Sequence, residues 1–558
     1  MKWIRLPAKM SLLMSRVQRI VRIGLLWVGG LSLVPKVGWA KDELDLEVIN
    51  RIIQEGLRYS ELPETAAYLM DRIGGRMTNS PQMRLAEKWT QQRFRSWGLE
   101  RVHAEGFDFG RGWSIERIEV RMTEPRVLPL QAIPVAWTPP TKGRLTAPII
   151  VAPMERERDF EKWKGKLEGK IVFVTKPSAG SEPKKVPFER LSAAELQRLD
   201  EYPHLEHSEA KMAKRLKHSV FTKRLEAFLA AEGAQAWVRE SYRDGGLLHG
   251  EGYGYRLGQT SPLPGIEMKA EDYRRLARLA KAGVTPTLEL LSEVRFYDED
   301  HNAYNVFAEV PGRNPRAGYV MAGAHLDSWV AADGAQDNGA GSVVVMEASR
   351  ILSKLGLKPR RTIRFALWSG EEQGLVGSMA FVERHLARRA PITDPKIAEA
   401  NTYYSWDTRW PVDLLPGSKE LTAYFNIDNG SGKIRGIYAE GNVAVIPILE
   451  KWLRPFASMG VDKVVARHTW GTDHVPMQVT GIPAFQFIQD PLDYSSRIHH
   501  SSIDTYDHLE VADLEQASVV LASMLWLSAE RDQPLPRLPV QRKPKETDPF
   551  NYDEVDDD

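Results

Sequence analysis

The fold turns on one stretch, Tyr319-Val320-Met321-Ala322-Gly323-Ala324-His325-Leu326-Asp327-Ser328, followed by Asp337-Asn338-Gly339-Ala340-Gly341. A short apolar run such as Tyr319–Ala324 suits a strand buried on both faces. Asp-Asn-Gly makes a turn, because Asp accepts backbone N–H groups and Gly tolerates positive φ, and it opens a helix-like segment over Ser342–Leu355. The same alternation continues outward. Strand-like segments fall at Thr362–Trp368, Leu421–Ile427 and Ala484–Ile488, and helix-like ones at Leu375–Leu386, Val443–Phe456 and Val511–Leu527. Strands alternating with helices from Arg295 to Arg531 predict an α/β sheet covered by helices on both faces.

Polar residues collect just past the ends of these strands, where open α/β folds hold their ligands. His325 and Asp327 follow the first, Glu371 and Glu372 the second, Asp428 the third, and His499 and His500 the fourth, with Asp337 in the turn between. Each has an ordinary reading alone: an exposed pair, a helix cap or a favourable dipole contact. Together, two histidines and several carboxylates at adjoining strand ends would repel unless cations neutralise them. The 558 residues include no cysteine, which excludes thiolate ligands, disulfides and cysteine nucleophiles. Nitrogen and oxygen donors remain, and that set suits zinc.

The net charge of +1 combines two unlike parts. Residues 1–40 hold seven of the 75 basic residues and none of the 74 acidic ones, so the remainder carries −6. A mildly acidic chain gives no reason to expect nucleic-acid binding. The leader itself, with basic residues up to Arg22, the apolar run Ile23–Val34 and small Gly38 and Ala40, reads as a signal peptide. That run is shorter than the roughly 20 residues a membrane span needs. The expectation is therefore a periplasmic or secreted protein, without stable membrane insertion after cleavage.

The length predicts two or three domains. Residues 41–123 read as the N-terminal part of the main domain. Residues 124–292 change character, with Pro-rich connections and short strands, and read as an inserted β-rich domain. Its charged helical excursion, 184–223, reads as a solvated surface feature. The main domain resumes over 293–532, and 533–558 is a Pro-rich, then acidic, tail expected to be disordered.

The runs Gly323–Ser328, Asp337–Gly341, Gly370-Glu371-Glu372-Gln373-Gly374-Leu375-Val376-Gly377-Ser378 and His500-Ser501-Ser502-Ile503-Asp504-Thr505 resemble the two-zinc exopeptidases. That family includes bacterial leucyl aminopeptidases, glutamate carboxypeptidase and the inactive transferrin receptor. Asp428-Asn429-Gly430-Ser431-Gly432 and Gly471-Thr472-Asp473-His474-Val475-Pro476 look closest to its carboxypeptidase Q branch. The resemblance implies a mixed sheet of the phosphorylase/hydrolase-like kind and a protease-associated domain for the insert. It also implies two zinc ions, one on His325 and Asp428, the other on Glu372 and His500, with Asp337 bridging. Glu371 matches the general base, and Asp327 the carboxylate that orients a ligand imidazole. A tyrosine of the glutamate carboxypeptidase branch is replaced here by His499, so His499 or His474 is the candidate oxyanion donor.

The expected activity is hydrolysis of terminal bonds in dipeptides or short peptides, with the direction open between the amino and carboxyl end. Two other readings stand beside it. A glutaminyl cyclase-type transferase would use a single zinc, and a binding protein on the same fold would hold none.

Overall fold

This computed structural model describes residues 44–180, 186, 188–200, 209–392 and 409–540, with the side chains of 209–219 excepted. The signal peptide expected at 1–40, and residues 541–558 of the tail expected over 533–558, lie outside the described residues, as do parts of the charged excursion. The start of that tail is ordered instead, with Leu535 buried in the main core and the Pro536 carbonyl accepting from Asn442.

Four parallel strands form the centre of the main sheet, in the order Thr362–Trp368, Tyr319–His325, Leu421–Asn426 and Ala484–Gln489. All residues of the last three are buried, which is why their sequences read as apolar runs rather than alternations. Asn302–Val310 and then Glu100–Asp108 extend the sheet on one side by antiparallel pairing; on the other, Ile434–Tyr438 pairs antiparallel and Lys463–Val465 then joins it parallel. The sheet is thus mixed, as expected.

One face is covered by the helices Ala340–Lys354 and Val511–Glu530, whose side chains are buried almost throughout, and Leu46–Arg58 packs on those two helices. A helix apolar all round belongs in a protein interior. Val376–His385 covers the other face through Met379, Phe381 and Val382. Gly323 is required by this packing: a Cβ there would lie 2.5 Å from both Trp368 Nε1 and the Tyr424 hydroxyl. Those two atoms are hydrogen-bonded to each other at 2.7 Å.

A second eight-stranded sheet is built from residues 112–297, wider than the insert expected over 124–292, because the long strands Gly112–Glu124 and Thr287–Tyr297 pair within it. Its long pair runs Gly112–Glu124 against Thr287–Tyr297, so the chain leaves and re-enters the first sheet side by side. Leu145–Val151, Ile171–Phe173, Ala236–Glu240 and Gly265–Met268 extend it, over a separate apolar core around Phe173, Ile266 and Tyr273.

The charged excursion departs from its expected solvated character. Glu189 and Leu492 exchange backbone hydrogen bonds. Leu191, Leu196 and Leu199 pack on Val465 and Ile488 of the main sheet. Arg190 donates to Asp490 and Asp513, and the Leu191 N–H donates to Asp490. Leu196 and Leu199, three apart, with Leu191 just before the helix Ala193–Arg198, give this segment an apolar patch that its charge count conceals.

Candidate metal centre

His325 ends its strand fully buried, so its backbone position is set by the sheet. Asp337 occupies the turn leading into Ala340–Lys354, and its backbone N–H donates to Asp504 at 3.1 Å. A Cβ at Gly341 would meet the Ile427 carbonyl at 2.4 Å, so glycine lets the helix start come close to the strand end that carries Asp428.

Two clusters result, joined by one carboxylate. His325 Nε2 lies 3.3 Å from an oxygen of Asp337 and 3.3 Å from Asp428. His500 Nε2 lies 3.2 Å from the other oxygen of Asp337 and 3.1 Å from Glu372. These separations match the edge of a tetrahedron around zinc, about 3.3 Å for bonds near 2.0 Å. Glu371 lies further out, 3.8 Å from His325 Nε2.

The donors also lack partners of their own. His325 Nε2, Asp337 Oδ2, Glu372 Oε1 and Asp428 Oδ1 are buried without a hydrogen bond, a costly state unless a cation satisfies them. Burial, then the charge of Asp337, pushes Glu372 up to about 8. Burial and the nearby carboxylates Asp428, Asp473 and Glu372 raise Glu371 well above the usual range. Burial would lower His325, but Asp428 and Glu371 hold it well above its ordinary value. The donor set therefore fits metal cations, which would relieve this crowding of negative charge.

Asp327 is buried and holds the turn carrying the two glutamates. Its carboxylate accepts the N–H groups of Glu371 and Glu372, each at 3.3 Å, and the Thr78 hydroxyl at 2.9 Å. His325 Nδ1 is fixed instead by the Asp327 backbone carbonyl, at 2.9 Å.

The two candidate oxyanion donors differ. The His499 ring stacks on His500 at 3.7 Å and borders the cavity over the site, with Nε2 3.7 Å from Asp337. Burial pushes it down to about 4, so it is neutral near pH 7. His474 is fully buried, with Nε2 2.9 Å from the Thr469 hydroxyl and Nδ1 unpartnered. Burial likewise takes it down to about 4.

Sequence reasoning missed Arg76, Glu251 and Asp504. Arg76 is fully buried and donates to the carbonyls of Gly74, Leu326, Asp333 and Gly334, fixing the loop after His325. Asp504 also accepts the Gln336 N–H at 2.6 Å; it stands inside the quoted run His500–Thr505, and its acidic type was the available signal. Arg76 and Glu251 come from distant segments, and no local pattern marks them. A cavity of about 1240 Å³ opens over the clusters, with Trp137, Tyr253 and Tyr255 of the 112–297 region facing Asp337, Glu371 and His500.

Residues 305–525 match the family model described as peptidase family M28. Carboxypeptidase Q of Mus musculus is 26% identical over 477 residues, covering 85% of this chain and 87% of that protein. Two solved structures share the fold. A peptidase M28 precursor from Shewanella amazonensis has a TM-score of 0.63 at 23% identity, covering 88% of this chain and 98% of that one. A zinc aminopeptidase from Bacillus subtilis has a TM-score of 0.53 at 19% identity, covering 84% and 95%.

Proposed function

The chain carries a peptidase family M28 domain over residues 305–525 and is a metallo-exopeptidase, and from that premise we propose that it is an exported enzyme removing terminal residues from dipeptides or short peptides with two zinc ions. The observation that carries the reading is Asp337, whose two oxygens each face a different imidazole at 3.2–3.3 Å. His325 and Asp428 would hold one ion, Glu372 and His500 the other, and Asp337 both. When bound, the ions would lower the pKa of the attacking water and polarise the scissile carbonyl.

Glu371 then has the position of a general base. Its carboxylate lies beside the His325–Asp428 cluster, it borders the cavity, and its backbone is held by Asp327. Its carboxylate takes the proton released as water attacks and passes it to the departing amine, so the residue ends each cycle unchanged. His499, neutral and at the cavity edge, would donate to the developing oxyanion. The aromatic wall from residues 112–297, which we read as the inserted protease-associated-like domain, would limit access to small substrates. Among the described residues no helix is long and apolar enough to cross a membrane; the leader composition supports export.

Metal analysis with a blocked dipeptide panel tests the reading. Two zinc per chain are expected, and either N-acetylated or C-amidated dipeptides should resist cleavage, naming the recognised terminus. Glu371→Gln should lower kcat by about 10²–10⁴-fold with zinc retained. A wild-type chain that holds zinc yet cleaves neither set, nor the unblocked dipeptides, would overturn the proposal.

A further inference from the structure

The loop following the Ala236–Glu240 strand reaches from the second sheet to the metal centre. Arg243 donates to the His499 carbonyl at 2.9 Å. The Ser502 N–H donates to the Leu248 carbonyl at 2.8 Å, and the Leu248 N–H returns a bond to the Ser502 hydroxyl at 3.2 Å. At the end of the loop, His500 Nδ1 lies 2.7 Å from Glu251 Oε1. These bonds grip a segment that bears a metal-ligand candidate after a long connection rather than at a strand end. His500 itself has φ +60, so its conformation is held by its surroundings rather than by local preference.

We infer that Glu251 is a positioning residue for the metal half-site containing His500, so that residues 112–297 build part of that centre as well as covering it. The inference rests on the two-zinc reading above. With Nδ1–H donated to Glu251, the imidazole presents an unprotonated Nε2 toward Asp337 and Glu372, the tautomer a metal requires. A carboxylate acceptor also makes the imidazole a better electron donor. The other half-site is arranged differently, because His325 Nδ1 is held by the Asp327 carbonyl within its own segment. Dependence on the insert is thus confined to one of the two sites.

Glu251 is itself held in place. Tyr242 donates its hydroxyl to Oε1 at 3.2 Å, and Arg239 donates to the Glu251 carbonyl at 2.9 Å. The buried Glu267 accepts the N–H groups of His249 and Gly250, at 2.8 and 3.3 Å, which fixes the backbone just before it. The loop therefore has little freedom to replace a lost carboxylate with another acceptor.

The test uses the full chain with Glu251→Ala and Glu251→Gln, and Arg243→Ala as a loop contact that leaves the imidazole bond intact. Zinc bound per chain is measured against a graded chelator series, with circular dichroism as the fold check. Glu251→Ala should keep one ion at wild-type affinity and bind the other about 10–100-fold more weakly. Glu251→Gln, which keeps an oxygen acceptor without the charge, should show a smaller loss, and Arg243→Ala almost none. Wild-type affinity for both ions in a folded Glu251→Ala chain, or equal weakening of both, would overturn the inference. Should Glu251→Ala fail to fold, unchanged affinity in Glu251→Gln would overturn it. A wild-type chain holding one ion would instead defeat the two-zinc reading; weaker binding of that ion in Glu251→Ala would still support the positioning role, and unchanged binding would refute it.

Discussion

His325 Nδ1 is hydrogen-bonded to the backbone carbonyl of Asp327 at 2.9 Å, while the Asp327 carboxylate is 3.7 Å away and faces the Glu371–Glu372 turn. The aspartate in this motif thus does two separable jobs. Asp327→Asn leaves the carbonyl in place but exchanges one acceptor oxygen for an amide N–H beside a backbone donor. Zinc on the His325 side should therefore be retained while kcat falls about 10–100-fold. Loss of zinc in proportion to kcat would show instead that the carboxylate mainly serves the imidazole.

His499 and His474 are separated by environment. His499 borders the cavity, whereas His474 is enclosed against Thr469. His499→Ala is expected to lower kcat about 10–100-fold, with both KM and zinc content near wild type, as loss of a donor made strong only in the transition state. His474→Ala should act through stability, at about 2–3 kcal/mol for an emptied buried site and the lost hydrogen bond to Thr469, whose hydroxyl keeps its bond to Glu440. Denaturant titration beside steady-state kinetics distinguishes these outcomes, and an unchanged kcat in His499→Ala would remove it from the mechanism.

The catalytic half was legible because its logic is local. Tyr319–His325 is buried on both faces and so reads as an apolar run, and His325, Glu372 and Asp428 lie at or just beyond such strand ends, whereas Asp337 and His500 follow longer loops. The second sheet was less legible. Gly112–Glu124 and Thr287–Tyr297 pair across more than 150 residues, and nothing in either segment names its partner. The flanking strands Ile434–Tyr438 and Lys463–Val465 are short, which left them below the periodicity signal. Arg76 and Glu251 owe their roles to where the chain returns in space. A lone arginine or glutamate in a loop carries no such information.

The excursion supplies a further expectation. Arg190 donates to the buried Asp513 and Asp490, but each keeps another partner: Lys433 N–H for Asp513 at 3.1 Å, and Arg435 for Asp490 at 3.2 Å. Arg190 is also 40% exposed, so solvent weakens its pull. A double-mutant cycle between Arg190→Ala and Asp513→Asn should give a coupling of about 1 kcal/mol in denaturant unfolding. No coupling would mean that the leucines and the backbone bonds to Leu492 and Asp490 hold the segment down without help from the Arg190–Asp513 pair.

Acid should loosen the insert through Glu267. Burial opposes its charge, but the Arg239 guanidinium and the His249 hydrogen bonds outweigh it and bring the carboxyl down to about 2. An acid with a depressed folded-state pKa stabilises the fold above its unfolded value, near 4.5, and that stabilisation disappears as pH falls from 4.5 toward 2. The depression corresponds to about 3 kcal/mol at neutral pH. Wild-type stability should therefore fall with acid more steeply than that of Glu267→Gln across this window, with the variant already weaker at pH 7. Because Glu267 also fixes the His249–Gly250 backbone leading to Glu251, zinc affinity at pH 7 should decline in the same variant. Parallel pH–stability curves for the two proteins would show that the pair contributes nothing net, as buried ion pairs sometimes do.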